Sequence, residues 1–274
     1  MNSFSGFLRG VDIPLNQVDE RLIIEYEQWL RSRKVSRNSS SFYMRTLRSA
    51  YNKVISTRRL EQTYPFQSVY TGVERTRKRA VHEDIMVRLQ KLDLTRSAPL
   101  AFSRDLFIFS YCTRGMAFVD IAYLKKENIS GGMLSYVRHK TGQRLTVRIE
   151  PPIGEIIKHY EPYVRNSAYL FPIITSNDPE EAYRQYQTAL GYHNRKLKKL
   201  GKLTGENLRL SSYTARHSWA TVARNHNVPL SIISAGMGHT SEKNTLIYLE
   251  SVENSLIDKA NEGILKALCC NVSK

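Results

Sequence analysis

Residues Ser211–Glu250 read SSYTARHSWATVARNHNVPLSIISAGMGHTSEKNTLIYLE, and the reading of this stretch decides the fold. Ala215, Trp219, Val222 and Ala223 recur at three and four residues, the spacing of a helix with one apolar face, and Ser211 or Ser212 is available to cap its start. Tyr213 and Arg216 fall together on an adjoining face. An arginine beside a core face stays charged and demands an anion or strong acceptor once it leaves water. The apolar run PLSIISAGM predicts a short second helix, which leaves Gly238-His239 at a helix-to-loop junction. Tyr248 follows in TLIYLES, with Leu246, Ile247 and Leu249 to bury one side. The intervals from Arg216 to His239 and from His239 to Tyr248 are 23 and 9 residues. Singly, each residue has a bland reading: an arginine on a buried carboxylate, a capping histidine, a core tyrosine.

Upstream lies a domain of mixed signals. HEDIMVRLQKL, from His82, has acidic residues in its first turn, and Ala101 to Cys112 is apolar nearly all round, as a central helix must be. Gly115 ends that helix. Residues 131–149, GGMLSYVRHKTGQRLTVRI, alternate β-branched and aromatic residues with polar ones on both sides of Lys140-Thr141-Gly142, which predicts a hairpin with Lys140 at its tip. Pro151 and Pro152 close that unit, IGEIIKHYEPYV returns to helical period, Leu170 to Ile174 is a short apolar segment, and EEAYRQYQTALGYHNRKLKKL is a helix that turns strongly basic.

The N-terminal part differs. Gly6, Gly10 and Pro14 interrupt periodicity over residues 1–15. Leu22, Ile23, Tyr26 and Leu30 then mark a helix whose charges suit its dipole, and after SRNSSS a second helix follows with Tyr43, Leu47, Ala50, Tyr51 and Val54 as its apolar face. Arg37, Arg45, Arg48 and Lys53 lie off that stripe. The expected organisation is a helical domain over residues 1–72, a basic linker over 73–81 that includes Arg77 and Lys78, and a larger domain over 82–274.

Composition narrows the partner. Of 274 residues, 41 are Lys or Arg against 25 Asp or Glu, a net charge of +16 that favours a polyanion, nucleic acid above all, although charge can also serve solubility alone. Cys112, Cys269 and Cys270 lack metal-ligand or CxxC spacing and read as reduced thiols of a cytoplasmic protein. No apolar run approaches the roughly 20 residues of a membrane span, and MNSFSGFLRG lacks a signal-peptide core.

The order Arg216, Gly238-His239, Tyr248, with Lys140 on a hairpin upstream, resembles the C-terminal signature of the tyrosine recombinases, the phage-integrase family. The resemblance is most specific over residues 104–250 and looser over 15–72. It implies a mainly α fold with a small antiparallel β-sheet, in which a helical core-binding domain and a catalytic domain form a clamp on DNA. It further implies that Tyr248 attacks a phosphodiester, forming a 3′-phosphotyrosyl intermediate and releasing a 5′-hydroxyl. A phenol with a pKa of about 10 needs help at neutral pH, and the charge that builds on the phosphoryl oxygens needs preorganised cations. By resemblance Arg216 supplies that stabilisation, His239 adds to it or assists proton movement near neutral pH, and Lys140 protonates the leaving 5′-oxygen. The phosphotyrosine ester conserves the energy of the broken bond, so no metal, ATP or other cofactor is expected. Arg37, Arg45, Arg48, Lys53, Arg77 and Lys78 become candidate phosphate contacts. The implied partner is double-stranded DNA, with a homotetramer on DNA, a monomer or weak oligomer without it, and no membrane. The amphipathic segment after Tyr248, SVENSLIDKANEGILKALCC, is expected to pack on its own domain or dock on a neighbouring protomer.

Two positions depart from the family pattern. Its His-x-x-Arg has become Tyr213-Thr214-Ala215-Arg216, replacing an imidazole with a phenol that still donates a hydrogen bond but is a much weaker base; His217 points about 100° away on the helix. Its Gly-x-Arg-x-x-acid frame, aligned on Gly115 and Asp120, puts Ala117 where the first catalytic arginine belongs. Arg114, across the Gly115 bend, is the expected substitute, with Arg138 or Arg144 on the hairpin next in line and Asp120 orienting the neighbourhood. A catalytically impaired DNA-binding relative and a type IB topoisomerase-like relaxing enzyme are the alternative readings.

Overall fold

The computed structural model describes residues 2–74, 80–205, 208–239 and 245, and the chain divides into two compact units, Met1–Arg77 and Lys78–Lys274.

The first unit is helical. Helix α2, Glu20–Ser32, begins where the Asp19 carboxylate accepts the Leu22 N–H at 2.8 Å, and α3, Arg37–Arg58, is capped by Ser36, whose hydroxyl accepts from the Ser39 N–H. Ile23, Tyr26 and Leu30 of α2 meet Met44, Tyr51 and Ile55 of α3, with Phe66 and Val69 closing the core. The buried face of α3 is thus rotated from the expected one: Tyr43 and Ala50 are exposed, and Ser40 and Ser41 are buried. The cause is a polar clamp. The Ser41 hydroxyl donates to the Gly72 carbonyl at 2.5 Å, and the Asn38 amide grips the backbone of Glu74 in both directions, Nδ2 to O at 2.9 Å and N to Oδ1 at 2.8 Å. Residues 2–7 also differ from expectation. They form helix α1, Asn2–Phe7, because Phe4 and Phe7 pack on Tyr26 with ring centroids at 5.0 and 5.3 Å.

The second unit is built around α5, Ala98–Cys112, which is buried on two sides. On one side Phe107 joins Ile85 and Leu89 of α4, Glu83–Gln90, and Leu197 and Leu200 of α8, Pro179–Leu203. On the other side Leu106 and Phe109 join Ile121 of α6, Phe118–Ala122, and Ile153 of α7, Pro151–Tyr160. Pro151 and Pro152 therefore open α7, occupying first-turn positions whose N–H groups would have no partner anyway. The same core takes in an antiparallel sheet of order β1-β2-β3: Ile129–Ser130, Met133–Val137 and Arg144–Arg148. Leu134 pairs with Val147 and Tyr136 with Leu145, so the inward residues come from alternate positions. The chain is mainly α with one small antiparallel sheet, as the resemblance implies.

Two last helices complete the described part. Helix α9, Thr214–Asn225, starts after Tyr213, one residue later than a Ser212 cap and two later than a Ser211 cap would place it; Ser211 instead accepts the Thr214 N–H through its carbonyl at 2.9 Å. Helix α10, Leu230–Gly236, packs Ile233 and, just beyond it, Met237 against Ala220. Tyr248 and the segment after it lie outside the described residues, as do Arg77, Lys78, Cys269 and Cys270.

Candidate active site

Arg216, in the first turn of α9, is only 3% exposed. Its Nη1 donates to the Gly115 carbonyl at 2.8 Å, and its Nη2 donates to the Met237 carbonyl at 2.7 Å and lies 3.0 Å from His239 Nε2. The buried charge is therefore met by backbone dipoles rather than a carboxylate in these contacts. Gly115 makes the approach feasible. It ends α5 at φ +75°, and a Cβ there would lie 2.6 Å from Arg216 Cα, so any side chain would collide with the arginine backbone.

Gly238 plays the corresponding part at the other wall. It has φ +65°, and a Cβ would meet Leu145 Cδ1 at 2.7 Å, which seats the turn before His239 on strand β3. The Gly238 carbonyl accepts from Arg138 Nη1 at 2.6 Å, and the same Nη1 is 3.4 Å from the Met237 carbonyl. Arg138, 6% exposed, continues the buried alternation of Leu134 and Tyr136. That alternation is the signal in the sequence that would have turned this guanidinium inward.

His239 lies half-buried in this cationic surround. Its pKa is lowered to about 4, by burial first and then by the charges of Arg216, Arg138 and Lys140, so the ring is neutral near pH 7. Its Nδ1 is 2.8 Å from Thr245 Oγ1, a residue the sequence reading passes over.

Lys140 is exposed in the loop between β2 and β3. The loop is closed by Arg138, whose carbonyl accepts the N–H groups of Thr141 and Gly142 at 3.3 and 2.9 Å. Asp120, buried in α6, anchors its base: Oδ1 accepts the His139 backbone N–H at 2.9 Å and is 3.2 Å from His139 Nδ1.

Arg114 takes φ +61° beside Gly115. Its stem passes over Gly236, and Nη1 reaches the Thr146 carbonyl only at 3.5 Å, a loose contact. Its charge, with those of Arg216 and Arg138, is felt by the buried Tyr136 hydroxyl, whose pKa burial nonetheless pushes up to about 12. Arg114, Arg138, Arg216, Lys140 and His239 are thus gathered in one region. Tyr213 is 42% exposed at the head of α9, its ring 5.8 Å from that of His217.

In the first unit, Arg37 is already engaged by the Glu74 carboxylate at 2.7 Å and stacks on Tyr70 at 4.1 Å. Arg48 Nη1 lies 3.4 Å from Thr71 Oγ1, Arg45 Nε lies 3.4 Å from the Ser41 carbonyl, and Lys53 is exposed. Among the described residues there is no cluster of three or more metal-ligating side chains, and no helix is long and apolar enough to cross a membrane.

Comparison with known proteins agrees with this architecture. Residues 80–255 match the phage integrase family, and residues 1–69 match the phage integrase SAM-like domain. The chain belongs to the phage integrase family. It is 24% identical to a tyrosine recombinase of Pseudothermotoga lettingae over 96% of this chain and 88% of that protein. Its fold is similar to that of a lambda integrase dimer bound to a COC′ core site, with a TM-score of 0.68 at 15% identity over 90% of this chain and 86% of the other. It is similar as well to the Tn1549 transposon integrase in complex with a circular intermediate DNA, with a TM-score of 0.68 at 14% identity over 92% and 87% of the two chains. A lambda integrase tetramer bound to a Holliday junction matches with a TM-score of 0.67 at 15% identity, over 91% of this chain and 70% of that one.

Proposed function

We propose that this chain is a site-specific DNA recombinase that cuts and rejoins strands through Tyr248. The observation that carries the reading is the meeting of two buried guanidiniums, Arg216 and Arg138, on the carbonyls that precede a neutral His239. A phosphodiester is the ligand that suits such a site. Its oxygens are matched by forked donors, and the charge they gain in the transition state is met by cations whose positions are set beforehand.

In the proposed reaction the Tyr248 oxygen bonds to phosphorus as the bond from phosphorus to the 5′-oxygen breaks. As Arg216 turns Nη2 from His239 to the phosphate, the phenolic proton passes to the released His239 Nε2, and Lys140 gives a proton to the departing 5′-oxygen. Religation reverses each transfer. Because the phosphotyrosine ester keeps the bond energy, the cycle needs neither ATP nor a metal. Arg114 is assigned the place of the family's first arginine, with Arg138 beside it, and Tyr213 donates to a phosphate oxygen in place of the missing imidazole.

DNA is the proposed partner. The net charge of +16 supports it, as do the DNA complexes of the lambda and Tn1549 integrases. Arg37, Arg45, Arg48 and Lys53 of the first unit, with Arg77 and Lys78 of the expected linker, are the proposed phosphate contacts away from the catalytic centre, and assembly as a tetramer on DNA is proposed from the lambda integrase tetramer. The test is a nicked duplex carrying the recombination site. A covalent protein–DNA band that Tyr248→Phe abolishes is expected; its absence on that site overturns the proposal, and relaxation of arbitrary plasmids replaces it with a topoisomerase.

A further inference from the structure

We propose that Thr245 is a positioning residue for His239: its hydroxyl takes the Nδ1 proton and so keeps Nε2 as the lone-pair nitrogen in the site. An arginine guanidinium carries donors only, so Nε2, 3.0 Å from Arg216 Nη2, receives a hydrogen rather than giving one. The neutral imidazole has a single N–H, which is then on Nδ1. Nδ1 lies 2.8 Å from Thr245 Oγ1, and a hydroxyl oxygen is free to accept it. Thr245 is fully buried, so bulk water does not compete for either group.

Among the described residues, the charged groups felt by the ring are Arg216 from α9 and Arg138 and Lys140 from the hairpin, all cationic. They oppose a second proton, which leaves hydrogen bonding to choose between the two neutral tautomers. Thr245 stands three residues before Tyr248 in the sequence. A residue close to the proposed nucleophile in the sequence therefore also sets the imidazole that receives its proton. This part of the inference rests on the strand-transfer reading above.

The test compares the full chain with Thr245→Val, which keeps the volume and removes the hydroxyl, and Thr245→Ser, which keeps the hydroxyl. Long-range proton–nitrogen spectra of histidine-labelled protein read the tautomer without DNA. The wild type and Thr245→Ser are expected to carry the proton on Nδ1 of His239, and Thr245→Val to shift it towards Nε2. Covalent complex formation on the nicked duplex is expected to slow about 10- to 100-fold in Thr245→Val, with its pH profile altered, and to recover in Thr245→Ser. An unchanged Nδ1 proton in Thr245→Val, or cleavage at the wild-type rate and pH profile, overturns the proposal. Failure of the wild type to form any covalent complex overturns the strand-transfer reading instead, while the spectra still decide the hydrogen bond.

Discussion

Arg216 and Arg138 share an acceptor: the Met237 carbonyl lies 2.7 Å from Arg216 Nη2 and 3.4 Å from Arg138 Nη1. Two like charges converge on one backbone oxygen because Gly238 and its carbonyl hold Arg138 from the other side, at 2.6 Å. Two guanidiniums converging on one point suit a phosphate, whose oxygens would be shared between them.

Arg138→Ala is therefore expected to lower the rate of covalent complex formation about 100- to 1000-fold, the usual loss of one preorganised donor to a transition-state oxyanion. Arg138→Lys is expected to restore little, since an ammonium cannot make the forked contact. Arg114, whose Nη1 makes a loose 3.5 Å contact with the Thr146 carbonyl, is the other candidate; Arg114→Ala leaving covalent complex formation intact would remove it from the site and leave Arg138 alone in that role. Single-turnover rates of the two variants, measured side by side, decide between them.

Gly115 is the second lever. Replacing it with alanine combines a left-handed backbone with a Cβ 2.6 Å from Arg216 Cα. Roughly 2–5 kcal/mol of destabilisation is expected from strain and overpacking together, read as a lower midpoint in urea. Because the contact falls on Arg216 itself, covalent complex formation is expected to suffer even under conditions where the variant remains folded.

A third expectation concerns pH. His193, buried in α8 and stacked on Phe118 at 4.6 Å, has its pKa lowered by burial to about 4. Its Nδ1 finds no hydrogen-bond partner among the described residues. The unfolded chain takes up this proton near pH 6.5, whereas the folded chain resists it until about pH 4. The contribution to stability is therefore full above pH 6.5 and is lost as pH falls from 6.5 to 4, on the order of 3 kcal/mol. His239 titrates in the same direction over the same window. Thermal unfolding at pH 7.5 and pH 5 is expected to show the loss, and His193→Leu to reduce it.

What the sequence disclosed follows from the range of the interactions involved. The α2 face, the central α5 and the hairpin are set by local period, and each could be read from apolar spacing. Arg216 and His239 could be read from their interval because one helix and one short helix separate them. The α3 face could not, since Asn38 and the buried Ser41 are held by a clamp to residues 72–74, thirty and more positions away. Helix α1 was hidden for the same reason: its aromatic residues find their partners on α2 rather than on their own turn. Thr245 has no pattern at all, because a hydroxyl that meets an imidazole through space leaves no periodicity.

The clamp at the end of the first unit yields the last prediction. Arg37, a proposed phosphate contact, is tied to Glu74 at 2.7 Å, while Asn38 fixes the Glu74 backbone so that its carboxylate stays in reach. DNA must compete with that carboxylate for the guanidinium. Both side chains are largely exposed, so the pair is worth at most about 1 kcal/mol. Glu74→Gln releases Arg37 and removes a negative charge from the same surface, and is expected to tighten DNA association roughly two- to fivefold at low salt. The advantage should shrink as salt is raised, since both the pair and the phosphate contact are screened. Asn38→Ala is expected to loosen the Glu74 backbone and give a smaller gain of the same sign. Titrations of labelled duplex at two salt concentrations make the comparison, and weaker binding by Glu74→Gln would mean that the carboxylate orients Arg37 for DNA instead of withholding it.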